Sequence, residues 1–341
     1  MKIKKLHIKN FKSIADLEII EPNPFTVFVG PNGSGKSNIF EALEFYLKYR
    51  DETNGIGLFG GEDNISKIDN PRIFSFETDD WSLKIDSFVE RAFLEYLHNL
   101  SDKDYEKNLL SLQSEEFEQL SNDHQIKKII SKNNFYKKQF SRLFIKNKDK
   151  QKVNYSDNLT LSFSADNLEK VLKRILKEES KKEEILDWLR LFIPEFDDVF
   201  IESSDLSRTD TLIVKERFSP KYFTKELISD GTYNILALLT AVFQSDEPQF
   251  LCIEEPENGL TPDVIKEMVN FFRNACEEKG HYIWLNTHSQ SLVSQLSPDE
   301  IITVNKIKGE TKIKQFKGED FNGLSMDEAW LTNTLGGGLP W

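Results

Sequence analysis

Three short apolar runs interrupt the mixed pattern of hydrophobic and polar residues in this 341-residue chain. They occupy residues 25–29, 250–253 and 282–285. Such runs are typical of strands buried on both faces of a parallel sheet. Helical spacing of apolar residues follows residue 38 and recurs over residues 233–243, while residues 72–90 alternate as antiparallel strands do. The pattern therefore predicts an α/β fold.

The middle of the chain follows a different pattern. From about residue 90 to 150 the spacing is helical and highly charged; a short strand is expected at 159–163 and a helical stretch at 168–191. No heptad run is long enough for a coiled-coil arm. We expect a mainly helical insertion, which divides the chain into residues 1–88, 89–194 and 195–341.

Candidate chemistry begins where the first apolar run leads into Gly-Pro-Asn-Gly-Ser-Gly-Lys-Ser at residues 30–37. Strand, glycine-rich turn and helix in this order are the context of a phosphate-binding loop, whose backbone N–H groups surround phosphate oxygens. We expect Lys36 to reach the β- and γ-phosphates and the Ser37 hydroxyl to bind Mg²⁺. The residues expected to contact ATP in this loop are Asn32, Gly33, Ser34, Gly35, Lys36, Ser37 and Asn38.

The second apolar run ends in two acids. At the carboxyl end of a buried strand, Glu254 would face Mg²⁺ and Glu255 an attacking water. Upstream, Ser229-Asp230-Gly231 precedes a helical run; downstream, the third apolar run is followed by His288. Taken singly, these residues have ordinary interpretations as a solvated strand end, a helix N-cap and a structural histidine. Their order along the chain favours a functional role.

In this order and spacing the motifs resemble those of an ABC-type ATPase head. The match comprises a Walker A loop at 30–37, a signature motif at 229–232, a Walker B strand at 253–257 and a switch histidine at 288. Residues 6–14 resemble the first strand of the SMC, RecF and OLD ATPases, and residues 30–38 have the form that their P-loop takes. The resemblance implies a mostly parallel sheet, an antiparallel N-terminal sheet and a mainly helical insertion.

The resemblance also implies a set of site residues. Glu255, Lys36 and His288 would be catalytic, Ser37 and Glu254 would bind Mg²⁺, and Ser229 and Gly231 would contact ATP. In such heads two chains sandwich two ATP molecules, so a homodimer at least is implied. The chain departs from the commoner pattern at Asp230, Thr232 and Glu254, where Gly, Gln and Asp are usual, and no Q-loop glutamine can be assigned.

Composition predicts a soluble, cytoplasmic protein. The chain has no apolar stretch of eighteen residues and no signal-peptide pattern at its start, so we expect no membrane contact. Its two cysteines, Cys252 and Cys276, support neither a disulfide framework nor a zinc site.

The net charge of -13 is unevenly distributed. Between Lys127 and Lys152 ten Lys or Arg residues, with interleaved aromatic residues, accompany a single acid, Asp149. This basic segment could hold a nucleic-acid backbone. Alternatively, it is an amphipathic helix whose apolar face carries Tyr136, Phe140, Leu143 and Phe144.

Three functional hypotheses follow. The short form and the Asp-containing signature resemble ATPases of bacterial anti-phage defence operons, which act with a separate nuclease or toxin. The 53 residues after His288 are too few for the Toprim nuclease domain of OLD proteins. The alternatives are a RecF- or SMC-like DNA repair or replication factor, and the less favoured ATP-binding subunit of a transporter. A weaker pattern, Arg91 and His98, resembles HEPN ribonucleases.

Overall fold

The computed structural model of the protein describes residues 2–49, 55–59, 61–66, 72–79, 82–86, 139–145, 158–204 and 209–336. These residues form two compact units. The first contains the described parts of 1–22, 33–140 and 305–313, and the second those of 23–32, 141–304 and 314–341. Residues 89–138 and 146–157 of the predicted insertion, which include the HEPN-like pair Arg91 and His98 and most of the basic segment, lie outside the described residues. The division at residues 88 and 194 stays a prediction.

The secondary structure of the described residues alternates strands and helices. The strands are β1 (Ile3–Phe11), β2 (Ile14–Ile20), β3 (Phe25–Val29), β4 (Ile73–Thr78), β5 (Ser82–Asp86), β6 (Phe140–Leu143), β7 (Phe196–Ser204), β8 (Thr209–Glu216), β9 (Tyr222–Thr224), β10 (Phe250–Glu254), β11 (Tyr282–Thr287), β12 (Ile301–Ile307) and β13 (Glu310–Gln315). The helices are α1 (Lys36–Glu44), α2 (Gly55–Leu58), α3 (Glu62–Ile65), α4 (Leu168–Ile175), α5 (Glu179–Phe192), α6 (Asp230–Phe243), α7 (Pro262–Lys279), α8 (Gln290–Val293) and α9 (Met326–Leu331). A π-helical turn, Phe45–Tyr49, continues α1.

The first unit is built on an antiparallel sheet in the order β2-β1-β4-β5. Its strands alternate as the sequence predicts, and the buried Leu6 of β1 lies opposite Phe76 of β4. The π-helical turn packs on this face through Tyr46, whose ring stacks on Phe74 with centroids 4.4 Å apart. Burial of these large apolar side chains stabilises the contact between α1 and the sheet.

The second unit contains β3, β10 and β11, and most of β6 and β12, of a six-stranded sheet in the order β13-β12-β3-β11-β10-β6. Strands β10, β11, β3 and β12 are parallel, as the apolar runs predict. Their register places Glu254 beside Asn286, and Val29, the last residue before the P-loop, beside Thr287. The carboxyl ends of three strands therefore meet at one edge of the sheet, which is where ligands bind in open α/β sheets.

Helices bury the faces of this sheet. Nearly all of α6 is buried, and α7 contributes Phe271 and Phe272 to the same core. Within the sheet, Trp284 lies between Phe28 and Phe250, with ring centroids 5.3 and 4.9 Å away. A separate antiparallel sheet in the order β7-β8-β9 also belongs to this unit.

Three sequence predictions need correction. Residues 159–163 form a loop instead of a strand, because side chains satisfy their backbone groups: Gln244 accepts from the N–H of Leu161 at 2.8 Å, and Asn167 donates to the carbonyl of Thr160 at 2.8 Å. The predicted helix over 168–191 is two helices, α4 and α5. Phe140 and Leu143, assigned to a helix face, belong to strand β6 at the edge beside β10, where both are buried.

Candidate functional site

The glycine-rich loop leaves β3 at Gly30 and ends at Lys36, the first residue of α1. Gly33 and Gly35 have φ angles of +75° and +101°, a backbone region that L side chains rarely adopt. A Cβ at Gly35 would lie 2.0 Å from the Thr311 hydroxyl, whereas a Cβ at Gly33 would meet no atom of the described residues within 4 Å. The backbone at Gly33 therefore borders open space, as a loop that surrounds phosphate oxygens requires. Lys36 is 6% exposed.

A chain of hydrogen bonds fixes this loop. The Asn38 amide donates to Ser13 Oγ at 2.6 Å, and the Ser13 and Thr311 hydroxyls are 2.6 Å apart. Thr311 Oγ1 donates to the carbonyl oxygen of Ser34 at 2.9 Å. Because Thr311 has one hydroxyl proton, Ser13 must donate to Thr311, and every bond in the chain acquires a fixed direction. We refer to Asn38, Ser13, Thr311 and the Ser34 carbonyl as the hydroxyl chain.

The Walker B strand brings Glu254 to the sheet edge described above. Its side chain is 8% exposed, and both oxygens accept hydrogen bonds. Asn286 Nδ2 donates to Oε2 at 3.3 Å. Arg142 of β6 donates to Oε1 from Nε at 2.7 Å and also from Nη2. The arginine that sequence analysis placed in a nucleic-acid-binding segment is therefore half of a buried ion pair.

Glu255 follows in an unusual backbone conformation. Its φ of +47° is strained for a residue with a side chain, which costs on the order of 1 kcal/mol. Two acceptors on Asn286, the backbone oxygen at 3.0 Å and Oδ1 at 3.1 Å, hold its N–H. This turn directs the Glu255 carboxylate towards His288, with Oε1 3.7 Å from Nε2, while Asn258 Nδ2 donates to Oε2 at 3.3 Å.

Glu257 anchors the turn that carries His288. The Thr287 hydroxyl donates to Glu257 Oε1, and the His288 N–H lies 3.4 Å from the same oxygen. Burial raises the pKa of Glu257, and the neighbouring Glu255 charge raises it further, while the Thr287 bond lowers it. Glu257 therefore ties the loop after β10 to the loop after β11.

The signature residues begin α6. Ser229 is its N-cap: its Oγ accepts from the N–H of Thr232 at 3.0 Å. Gly231 packs directly on Gly259, and a Cβ there would lie 2.5 Å from the Gly259 carbonyl oxygen. Asn234 adds two bonds from its amide, to the carbonyls of Pro256 at 2.8 Å and Asn258 at 2.9 Å. The signature helix and the loop after Walker B are thus fixed to each other.

The structure groups the predicted residues in two sets. In the second unit Glu254, Glu255 and His288 come together at one sheet edge, and Ser229 and Gly231 are attached to the adjoining loop. Residues 33–38 belong to the first unit. The placement of Lys36 and Ser37 opposite Glu254, and every contact with ATP, stay predictions.

Sequence reasoning missed several residues of these two sets. They are Ser13, Arg142, Asn286 and Thr311, together with the anchoring role of Glu257. Only Asn286 carried a signal, its position at the end of an apolar run. Among the described residues no three His, Cys, Asp or Glu side chains are arranged to hold a metal ion by themselves. The two predicted ligands, the Ser37 hydroxyl and the Glu254 carboxylate, are each of the oxygen type that Mg²⁺ prefers.

Comparison with known families identifies the chain. The sequence profile of the family described as "AAA domain, putative AbiEii toxin, Type IV TA system" matches residues 25–294. The chain belongs to this AAA family. The match runs from β3 through the signature, Walker B and switch regions, which confirms the resemblance to ABC-type ATPases of the SMC group.

Curated relatives of this AAA protein align with short parts of it. The chromosome partition protein Smc of Methanocaldococcus jannaschii is 53% identical over 45 residues, 13% of this chain and 4% of that protein. The Smc protein of Lactiplantibacillus plantarum is 34% identical over 113 residues, 31% of this chain and 10% of that protein. An energy-coupling factor transporter ATP-binding protein, EcfA2 of Lactobacillus gasseri, is 36% identical over 56 residues, 16% of this chain and 19% of that protein. The matches thus span less than a fifth of each relative's length.

A solved structure shares the fold over nearly the whole chain. It is an Smc head bound to the C-winged helix domain of ScpA, with a TM-score of 0.52, 16% identity, and coverage of 96% of this chain and 100% of that one. The predicted fold class, an α/β head with a mostly parallel sheet and an antiparallel sheet, is confirmed. None of the helices in the described residues is both long and apolar enough to span a membrane.

Proposed function

We propose that this protein is an ATP-hydrolysing molecular switch that dimerises around ATP. The observation that carries the proposal is the sheet edge where Glu254, Glu255 and His288 converge beside the end of β3. Family membership and the Smc-head fold support it. The open left-handed backbone at Gly33 and the buried Lys36 suit a triphosphate.

Each predicted site residue has a separate role in ATP hydrolysis. Lys36 places its charge on the β- and γ-phosphates, and Ser37 and Glu254 would hold Mg²⁺. When bound, the metal neutralises charge on the transferring phosphoryl group. Glu255 accepts a hydrogen bond from a water and aligns it with the γ-phosphorus, so that the new P–O bond forms as the bond to the ADP oxygen breaks. His288, 3.7 Å from Glu255 Oε1, keeps that carboxylate in place.

The position of the signature motif supports the proposed dimer. Ser229 and Asp230 are exposed at the start of α6, where N–H groups and the positive end of the helix point outward. A γ-phosphate held by a second copy of the chain is an anion suited to this helix end. ATP would therefore join two chains, and hydrolysis would separate them.

Glu255→Gln tests both parts of the proposal. The variant replaces the carboxylate that orients water with an amide of the same shape. We therefore expect turnover to fall about 10²–10⁴-fold while ATP binding persists. The ATP-bound dimer should accumulate, and size-exclusion chromatography with ATP and Mg²⁺ would detect it. Asp263→Asn, at the exposed start of α7, is the control. Parental turnover in Glu255→Gln would show that the catalytic assignment is wrong.

We further propose that the switch is the ATPase or sensor subunit of an anti-phage defence system that acts with a separate nuclease or toxin. The family description, which includes a putative toxin and a toxin–antitoxin system, supports this role. A SMC-like role in DNA repair or replication is the alternative, which the Smc relatives favour. Stimulation of ATPase activity by DNA at low but not at high salt, without an effector, would favour the alternative. Loss of phage protection in Lys36→Ala cells would favour defence.

A further inference from the structure

The ion pair between Arg142 and Glu254 bears on the metal site. Both side chains are 8% exposed, and Arg142 uses two nitrogens, Nε and Nη2, on the single oxygen Oε1. The guanidinium also lies over the Phe163 ring, with Cζ 4.9 Å from the ring centroid. Phe163 is held in turn, because its carbonyl accepts from the N–H of Phe144 at 2.7 Å. The Arg142 side chain is thus held by Glu254 through its N–H groups and by Phe163 through ring contact.

The lone pairs of the Glu254 carboxylate are largely taken up by these hydrogen bonds. A carboxylate offers about four acceptor positions, two on each oxygen. Arg142 occupies both on Glu254 Oε1, and Asn286 occupies one on Oε2. A magnesium ion or its water would have to displace one of these donors or bind beside a buried positive charge, and like charges at this range repel strongly where water is scarce.

We propose that Arg142 and Mg²⁺ compete for Glu254, so that Arg142 is a positioning residue that sets the Mg²⁺ concentration at which the chain binds ATP. The inference rests on the proposed function, since it assigns Glu254 to the metal. A simple structural ion pair would stabilise the fold and leave Mg²⁺ dependence unchanged. Competition makes a different prediction: weakening the pair should strengthen Mg²⁺-dependent nucleotide binding.

The test is a Mg²⁺ titration of nucleotide binding, read by fluorescence of a labelled ATP analogue at fixed concentration. Arg142→Gln removes the charge, and Arg142→Lys keeps it but loses the two-nitrogen contact. Arg273→Gln is the matched control, because Arg273 makes a comparable two-point pair with Glu300 in the same unit, with bonds of 2.6 and 2.7 Å. Thermal unfolding of each variant reports how much of any change is structural.

Competition predicts that Arg142→Gln lowers the half-saturating Mg²⁺ concentration roughly tenfold, and Arg142→Lys by a smaller factor in the same direction. Arg273→Gln should lower stability and leave the half-saturating concentration at the parental value. If Arg142→Gln does not fold, Arg142→Lys decides. An unchanged or higher half-saturating concentration in the folded Arg142 variants overturns this inference alone. A parent chain that binds no nucleotide at any Mg²⁺ concentration overturns the proposed function and this inference with it.

Discussion

The P-loop and the sheet edge that carries Glu254, Glu255 and His288, the Walker B edge, are held in place by different kinds of contact. Residues 33–38 are held by steric exclusion at Gly35 and by neutral hydrogen bonds of the hydroxyl chain. At the Walker B edge, carboxylates are held by an arginine, an amide and a histidine. A steric constraint tolerates no substitution and barely responds to solution conditions. Charged contacts can exchange partners, and they respond to cations and to pH. Substitutions in the P-loop and changes in solution conditions at the Walker B edge should therefore have different effects.

The largest effect should come from Gly35→Ala. The new Cβ would lie 2.0 Å from Thr311 Oγ1 and would require φ near +101°. Overpacking and backbone strain together should cost roughly 3–5 kcal/mol of unfolding free energy and abolish nucleotide binding. Denaturant unfolding and analogue binding measure both.

Gly33→Ala provides the matched control for Gly35→Ala. An alanine at position 33 has a similar backbone penalty at φ +75°, but its Cβ contacts none of the described residues. The substitution should therefore lower the unfolding free energy by only about 1–2 kcal/mol. Equal costs at the two glycines would contradict steric exclusion as the constraint on the loop.

Strand β10, which carries the Walker B acids at its carboxyl end, should instead respond to pH at its amino end, through His281. This ring is fully buried before β11: Nδ1 accepts from the N–H of Gln249 at 3.2 Å, so Nε2 donates to the Val242 carbonyl at 3.2 Å. Desolvation by burial lowers the pKa of His281 to about 4 from 6.5. Because the folded pKa is lower than the unfolded one, protonation of His281 favours the unfolded chain. The stability that comes from keeping the ring neutral is fully present above pH 6.5 and is lost as pH falls through 4. The loss should approach about 3 kcal/mol.

Comparing parent and His281→Gln unfolding between pH 7 and pH 4 isolates the histidine from the carboxylates. The variant should lose less stability over that interval, since its amide does not titrate. Parallel pH profiles for the two proteins would show that His281 does not contribute.

The smallest effect should come from Thr311→Val, which removes one hydroxyl from the hydroxyl chain. The Ser13 proton then loses its acceptor and the Ser34 carbonyl its donor, at a cost of about 1–2 kcal/mol. Thr303→Val is the control, because the buried Thr303 hydroxyl has no hydrogen-bond partner in the described structure. That change should be neutral or slightly stabilising. If the two variants unfold alike, the hydroxyl chain does not hold the loop.

Local signals explain what could be predicted from the sequence. Apolar runs located β3, β10 and β11, and glycine spacing located the loop, because each depends on residues close together in the chain. The missed contacts join distant residues: Arg142 and Glu254 are 112 positions apart, and Ser13 and Thr311 are 298 apart. No periodicity encodes such pairs.

The error at β6 has a related cause. Apolar positions in Phe140–Leu143 fit a helix or a strand equally well over so short a run, and the neighbouring strand β10 decides between them. Arg142 and the lysines around it suggested one polyanion surface, yet Arg142 is buried against Glu254. Charge counting along a sequence cannot distinguish exposed from buried arginines.

The hydroxyl chain also affects how this protein is made. Thr311 contacts the Ser34 carbonyl across 277 residues of sequence, so the loop lacks one of its supports until residue 311 has left the ribosome. A nascent chain would display Gly33, Lys36 and Ser37 early but hold them loosely. We expect the emerging polypeptide to bind ATP weakly until residue 311 has been made and Thr311 can reach the loop.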